Sequence, residues 1–170
     1  MTKPVIMCVD DDPEVLAAVD HDLRARYRAE YRVLKAGSAL EALDASRQLK
    51  QRGTPIALFL SDQRMPGMTG TELLGELRKL HPESRKVLLT AYADTEAAIA
   101  SINLVGLDHY LIKPWDPPEE RLYPVLDDLL QGWSSTVRVA FDGIRVAGAR
   151  LSPQSHAVKE FLSRNQVPYQ

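Results

Sequence analysis

The sequence predicts an open α/β fold, a doubly wound parallel sheet of five strands with helices on both faces. Three observations predict it. Five short apolar runs are continuous rather than alternating, the pattern of strands covered on both sides. Each run is separated from the next by a segment of helical period, as right-handed crossovers require. The side chains able to carry chemistry fall at the carboxyl ends of these runs, where such sheets gather their working residues.

Taken in order, the first run is "VIMCV" from Val5, and it ends on Asp10, Asp11 and Asp12. Pro13 suits a first helical position and opens a helix to about Tyr27. "YRVLKA" from Tyr31 is the second strand. Ser38, with Glu41 three residues on, caps a helix from Ala39 to about Gln51. "IALFL" from Ile56 is the third strand and leads into Asp62. Thr69 and Glu72 repeat the capping pattern before a helix from Thr71 to about Leu80. "KVLLTA" from Lys86 carries Thr90 at its end, and a helix follows from Asp94 to about Leu104. Gly37, Gly53 and Gly106 fall where turns are needed, and "DHYLI" from Asp108 is the fifth strand, ending beside Lys113. Pro124 would sit inside one continuous final helix at a cost of ~3 kcal/mol. That helix is therefore expected to start near Pro124, after a preceding turn.

Composition narrows the function. The chain has 170 residues, 45% hydrophobic and 26% charged, with a formal net charge of -2. This length suits one domain plus an appendage, and the charge argues against a nucleic-acid partner. The single cysteine, Cys8, lies in an apolar run and reads as a small core residue. Without a second cysteine no internal disulfide is possible, which fits a reducing compartment. The N-terminus is too short and too soon acidic for a signal peptide, and no apolar stretch is long enough to cross a bilayer. A cytoplasmic protein with no membrane partner is expected.

Carboxylates that converge at one sheet edge repel each other, and desolvation adds to the cost of keeping them ionised. A hard divalent cation relieves this, and magnesium takes one or two carboxylates together with phosphate oxygens. Asp11 and Asp62 can supply them, with Asp10 reaching through water. A carboxylate beside such a metal can attack a phosphoryl group. Lys113 and Thr90 then offer an ammonium and a hydroxyl to the phosphoryl oxygens. The competing reading of Asp10 to Asp12 is helix capping, and Asp12 is the one assigned to it. His21, His81, His109 and His156 show no ligand spacing and read as surface or structural. Asp44, Asp127 and Asp128 read as solvated helix-face charges.

The segments "VIMCVDDDPEV", "LSDQRMPGMTG", "VLLTAY" and "HYLIKPW", in this order and spacing, resemble the receiver domain of bacterial two-component response regulators. The resemblance runs from about Val5 to Trp133 and implies a flavodoxin-like fold for residues 1–133. It implies that Asp62 is the phosphate acceptor and that Asp10, Asp11, Asp62 and the main-chain carbonyl of Arg64 hold magnesium. It makes Thr90 the switch hydroxyl, Tyr110 the aromatic that moves with it, and Lys113 the phosphate contact, with the bond before Pro114 cis. Gln63, Arg64 and Tyr92 would flank the phosphoryl group and set its lifetime. The implied partner is a histidine kinase or phosphotransfer protein. Self-association would use the tail, or the face made by the 94–104 helix, the fifth strand and the final helix. Such a chain is mainly a regulatory domain, with self-phosphorylation and autodephosphorylation chemistry. Two other readings stand beside it. One is a docking module without phosphorylation. The other is a phosphatase of the haloacid dehalogenase type, whose Asp-x-Asp-x-Thr pattern Asp10 and Asp12 begin and Glu14 breaks.

After residue 133 the character changes. Residues 134–143 read as a linker, and 144–170 as strand, turn, helix and the start of a strand. Val158, Phe161 and Leu162 are expected on one helix face. This segment resembles the first βα unit of a glutaredoxin or thioredoxin fold, with Ser152 and Ser155 where redox cysteines would lie, so dithiol chemistry is absent. The order of segments resembles response regulators fused to thioredoxin-reductase-type flavoenzymes. That resemblance implies an oxidoreductase in the full-length protein, with flavin and nicotinamide sites beyond Gln170 and none within this chain.

Overall fold

The computed structural model describes residues 2–91, 105–137 and the positions 96, 99, 158, 161 and 162. Residues 2–137 form one compact unit. Its elements are β1 (Val5–Val9), α1 (Pro13–Tyr27), β2 (Arg32–Ala36), α2 (Ala39–Gln51), β3 (Ile56–Asp62), α3 (Gly70–Leu80), β4 (Arg85–Thr90), β5 (His109–Ile112), α4 (Pro118–Arg121) and α5 (Tyr123–Thr136). The 94–104 helix is described only at Glu96 and Ile99, both helical.

The five strands pair in parallel in the order β2-β1-β3-β4-β5. The chain steps outward from β1 to β2, then returns past β1 to lay down β3, so the order reverses between β1 and β3. Both faces are covered, as the continuous apolar runs require. On one face Ile6, Cys8, Leu58 and Leu60 pack with Leu16, Val19 and Leu23 of α1 and Leu126, Leu130 and Trp133 of α5. On the other, Val5, Met7, Val9 and Phe59 pack with Leu43 and Leu49 of α2 and Leu73, Leu74 and Leu77 of α3. Cys8 is a core residue, its thiol pushed up to about 12 by burial above all.

The helix starts follow their capping signals. The Asp12 side chain accepts from the amides of Glu14 and Val15, Ser38 accepts from Glu41, and Thr69 and Glu72 close a capping box. The expected turn before Pro124 is a single helical turn, α4, and α5 begins at Tyr123 with Pro124 at its second position. There the missing amide has no intrahelical partner to lose.

Two expectations need correction. Helix α5 runs through Thr136, so residues 134–136 are helical rather than linker. The hydroxyls of Ser134, Ser135 and Thr136 donate to the carbonyls of Gln131 and Gly132, 2.8–2.9 Å away, and continue the helix. Asp127 is not a free helix-face charge: its carboxylate, still partly exposed, is held by the Arg26 guanidinium and by the Tyr27 hydroxyl, the latter at 2.8 Å. Among the tail residues described, Val158, Phe161 and Leu162 are helical, at the spacing of a single helix face, and of the three only Leu162 is buried. Lys86, inside β4, is 2% exposed, its ammonium donating to the carbonyls of His81 at 2.6 Å and Ser84 at 2.5 Å. His81 is a buried structural residue, with Nε2 at 3.1 Å from the Ser46 carbonyl, while His21 and His109 are exposed. His156, Ser152 and Ser155 lie outside the described residues.

Candidate functional site

The reversal of strand order opens a crevice beyond the carboxyl ends of β1 and β3. Asp10 follows β1 directly, and its amide donates to the carbonyl of Ala36 at 3.3 Å. Asp62 is the last residue of β3. Both are buried, at 4% and 7% exposure, whereas Asp11 stands exposed at the rim. Carboxylate oxygens of Asp10, Asp11 and Asp62 come within 4.8 Å of one another.

Lys113, one residue past β5, reaches back across the crevice. Its ammonium lies 2.8 Å from Asp10 Oδ2 and 2.7 Å from Asp62 Oδ1. The Lys113 amide is tied to the Thr90 carbonyl at 2.8 Å, and the Lys113–Pro114 bond is cis, as the resemblance implied. Burial raises the Asp62 carboxyl above its ordinary value, and the Lys113 ammonium opposes that rise without cancelling it. For Lys113 burial acts downward, but hydrogen bonds to Asp10 and Asp62 outweigh it and hold the ammonium above its ordinary value. One cation thus faces three carboxylates. An all-oxygen donor set with residual negative charge fits a hard divalent cation such as magnesium.

Thr90 is fully buried, and its hydroxyl donates to the Ala91 carbonyl at 3.2 Å. Tyr110 is half-buried and stacks on His109 with ring centroids 6.1 Å apart. Leu88 pairs with Tyr110 and Thr90 with Ile112, so the pleat sets Thr90 and Tyr110 on the same sheet face. Asp12 caps α1 and leaves the crevice, which removes the second carboxylate the haloacid dehalogenase pattern needs.

The loop from β3 to α3 holds what the sequence reading missed. The amide oxygen of Gln63, a residue expected to flank the phosphoryl group, accepts from the Thr71 amide at 3.1 Å and the Thr71 hydroxyl at 2.8 Å. Gly67 has φ +79, the left-handed conformation this turn requires. Gly70 opens α3 so close to β3 that a Cβ there would stand 1.9 Å from the carbonyl oxygen of Asp62. The only sequence signal was a glycine at a first helical position, where helix propensity gives it no reason to be. Arg64 is exposed, and Tyr92 lies outside the described residues. Among the described residues, no helix is long and apolar enough to cross a membrane.

Residues 6–122 match the family described as the response regulator receiver domain. The chain is 39% identical over 115 residues to the hydrogenase transcriptional regulatory protein HoxA of Cupriavidus necator, a match covering 68% of this chain and 22% of HoxA. It is 34% identical over 119 residues to the DNA-binding transcriptional regulator NtrC of Escherichia coli, covering 70% of this chain and 24% of NtrC. The match thus spans under a quarter of the length of either relative. Among solved structures, a CheY-like response regulator receiver domain protein from Methanospirillum hungatei superposes with a TM-score of 0.66 at 29% identity, over 79% of this chain and 99% of that one. The response regulator TrrA from Thermotoga maritima, in complex with Mg(2+)-BeF, gives a TM-score of 0.56 at 25% identity, over 76% and 98%. The expected fusion to a thioredoxin-reductase-type flavoenzyme gains no support here, since the relatives named are transcriptional regulators.

Proposed function

This chain belongs to the response regulator receiver domain family, and from that premise we propose that Asp62 is its phosphoacceptor, charged by a histidine kinase or phosphotransfer protein. The observation that carries the assignment is the Lys113 ammonium set between Asp10 and Asp62 at 2.8 and 2.7 Å. An Asp62 oxygen attacks the phosphorus of a phosphohistidine. A P–O bond forms, the P–N bond breaks, and the leaving imidazole takes a proton from solvent. Asp10, Asp11, Asp62 and the main-chain carbonyl of Arg64 would hold magnesium, which supplies charge neutralisation for the phosphoryl oxygens.

The chain's own residues then change partners. Lys113 exchanges its bond to Asp62 for one to a phosphoryl oxygen. Thr90 gives up the Ala91 carbonyl for another. Tyr110, on the same sheet face, follows Thr90 inward. This is a two-state element biased by local charge, as regulatory switches require. The output surface is the face around β5 and α5, recognised by a second copy or by another protein. Gln63 bears on phosphate lifetime through its tie to Thr71, Arg64 and Tyr92 by screening the hydrolytic water.

The test is intact mass after incubation with magnesium and a small acyl phosphate donor. Addition of one phosphoryl group to the parent, absent in Asp62→Ala, is the expected result. No addition to the parent would replace the proposal with a docking module that works without phosphorylation. Turnover of a generic phosphomonoester would replace it with a phosphatase.

A further inference from the structure

At the opposite end of the sheet from Asp62, a cleft of about 280 Å³ is lined by Lys3, Arg24, Arg28, Tyr31, Arg32 and Val33, with Thr2 at its edge. Four cations face it and no acid lines it, in a chain whose formal net charge is -2. They come from three separate elements: the segment before β1, the last turn and cap of α1, and the first residue of β2.

Two of the cations are fixed in place. Arg24 is clamped by Asp20 at 2.8 and 2.9 Å and donates to the Val33 carbonyl at 3.0 Å. The Lys3 ammonium donates to the Arg28 carbonyl at 3.0 Å. The guanidinium groups of Arg28 and Arg32 are exposed and have no ion-pair or hydrogen-bond partner among the described residues. A helix C-terminus attracts cations to its last turn, which accounts for Arg24. It gives no reason for Lys3 or Arg32, which belong to other elements and face the same space.

From this convergence we infer that the cleft is a binding site for a compact phosphate-bearing anion, free in solution and separate from the phosphoacceptor crevice. Planar guanidinium forks match phosphate oxygens two at a time, and two arginines without partners are the groups that would close on it. The cleft is small for a nucleotide, since sites for larger organic ligands run from ~300 Å³ upward. Tyr31, Val33 and Thr2 complete the lining without adding a charge, so the cations carry all of its charge.

The experiment is titration calorimetry of the full chain with inorganic pyrophosphate, in magnesium-free buffer at about 0.15 M salt so that diffuse attraction is screened. One saturable site is expected. It should weaken by about tenfold in Arg28→Gln and in Arg32→Gln and vanish in the double variant, as loss of charge-assisted hydrogen bonds predicts. Lys113→Ala should leave it unchanged, and the double arginine variant should still accept a phosphoryl group from the small donor. No saturable binding to the parent overturns the inference, as does equal binding to parent and double variant. Binding lost in Lys113→Ala but kept in the double arginine variant also overturns it, because it would place the anion in the crevice. Circular dichroism of each exposed-site variant separates lost binding from lost fold.

Discussion

Replacing Gly70 with alanine sets two physical effects against each other. Helix propensity alone favours the substitution, since glycine costs up to ~1 kcal/mol relative to alanine in a helix interior. Packing opposes it. The new Cβ would stand 1.9 Å from the Asp62 carbonyl oxygen, 2.8 Å from its carbon and 2.9 Å from Leu88 Cδ1. Two of those three atoms are backbone, in a strand hydrogen-bonded on both sides. Ordinary contact begins at 3.4 Å, so α3 must slide outward by about 1.5 Å. The slide would loosen Leu73, Leu74 and Leu77, all fully buried. Overpacking of this kind costs ~1–3 kcal/mol, and a clash with backbone belongs at the upper end. Net destabilisation of about 2–3 kcal/mol is expected, a fall in Tm of roughly 6–10 °C. Urea unfolding should show a lower midpoint at unchanged slope. Gly75→Ala, in the same helix, is the control: its Cβ would meet only Val105 Cγ1 at 3.5 Å, so neutral or slightly higher stability is expected. Phosphoryl acceptance should fall in Gly70→Ala and not in Gly75→Ala, because the crowded carbonyl belongs to Asp62. A Gly70→Ala midpoint at or above the parent's would refute the packing argument.

Other substitutions probe the site and its support. Lys113→Ala leaves Asp10 and Asp62 facing each other without their shared cation, an expected loss of about 1–3 kcal/mol at neutral pH. Because the folded Asp62 carboxyl lies above its ordinary value, acidification relieves that strain. Chemical unfolding should therefore find the gap to the parent narrower at mildly acidic pH, and a gap that widens there would contradict the assignment. Lys86 is lowered to about 8 from 10.5, by burial first, so the parent carries a penalty below pH 8 that lifts as pH rises toward 10.5. Measured against Lys86→Met, the parent should gain stability across that window; a flat difference would mean that its carbonyl partners hold the ammonium charged. Thr69→Ala removes the hydroxyl that caps α3 and should cost about 1 kcal/mol by thermal unfolding.

What was legible in the sequence was what depends on periodicity or on chain ends. Burial on both faces leaves continuous apolar runs, so β1 and β3 could be read directly. Caps are written in neighbouring residues, so Asp12, Ser38 and Thr69 could be read as well. Convergence of Asp10, Asp62 and Lys113 was readable because parallel strands all point their carboxyl ends the same way. Features set by tertiary approach were not. Asp127 meets Arg26 and Tyr27 across about a hundred residues of chain, and nothing local marks that meeting. The burial of Lys86 was not readable, because its carbonyl partners belong to a turn whose path the sequence does not state. The tie of Gln63 to Thr71 was not readable, because Thr71 reaches it only after the loop has folded back.

The strand reversal between β1 and β3 has a consequence for how the protein tolerates change. Val9 lies opposite Ser61, so Asp10 and Asp62 extend from neighbouring rungs of one ladder. Their separation is therefore a lattice constant of the sheet, fixed by peptide hydrogen bonds rather than by the shape of the side chains beneath. Core residues such as Leu58 or Phe59 can drift in volume, and the protein then loses abundance before its two carboxylates lose their spacing. Sensitivity of signalling and sensitivity of folding are thereby assigned to different atoms.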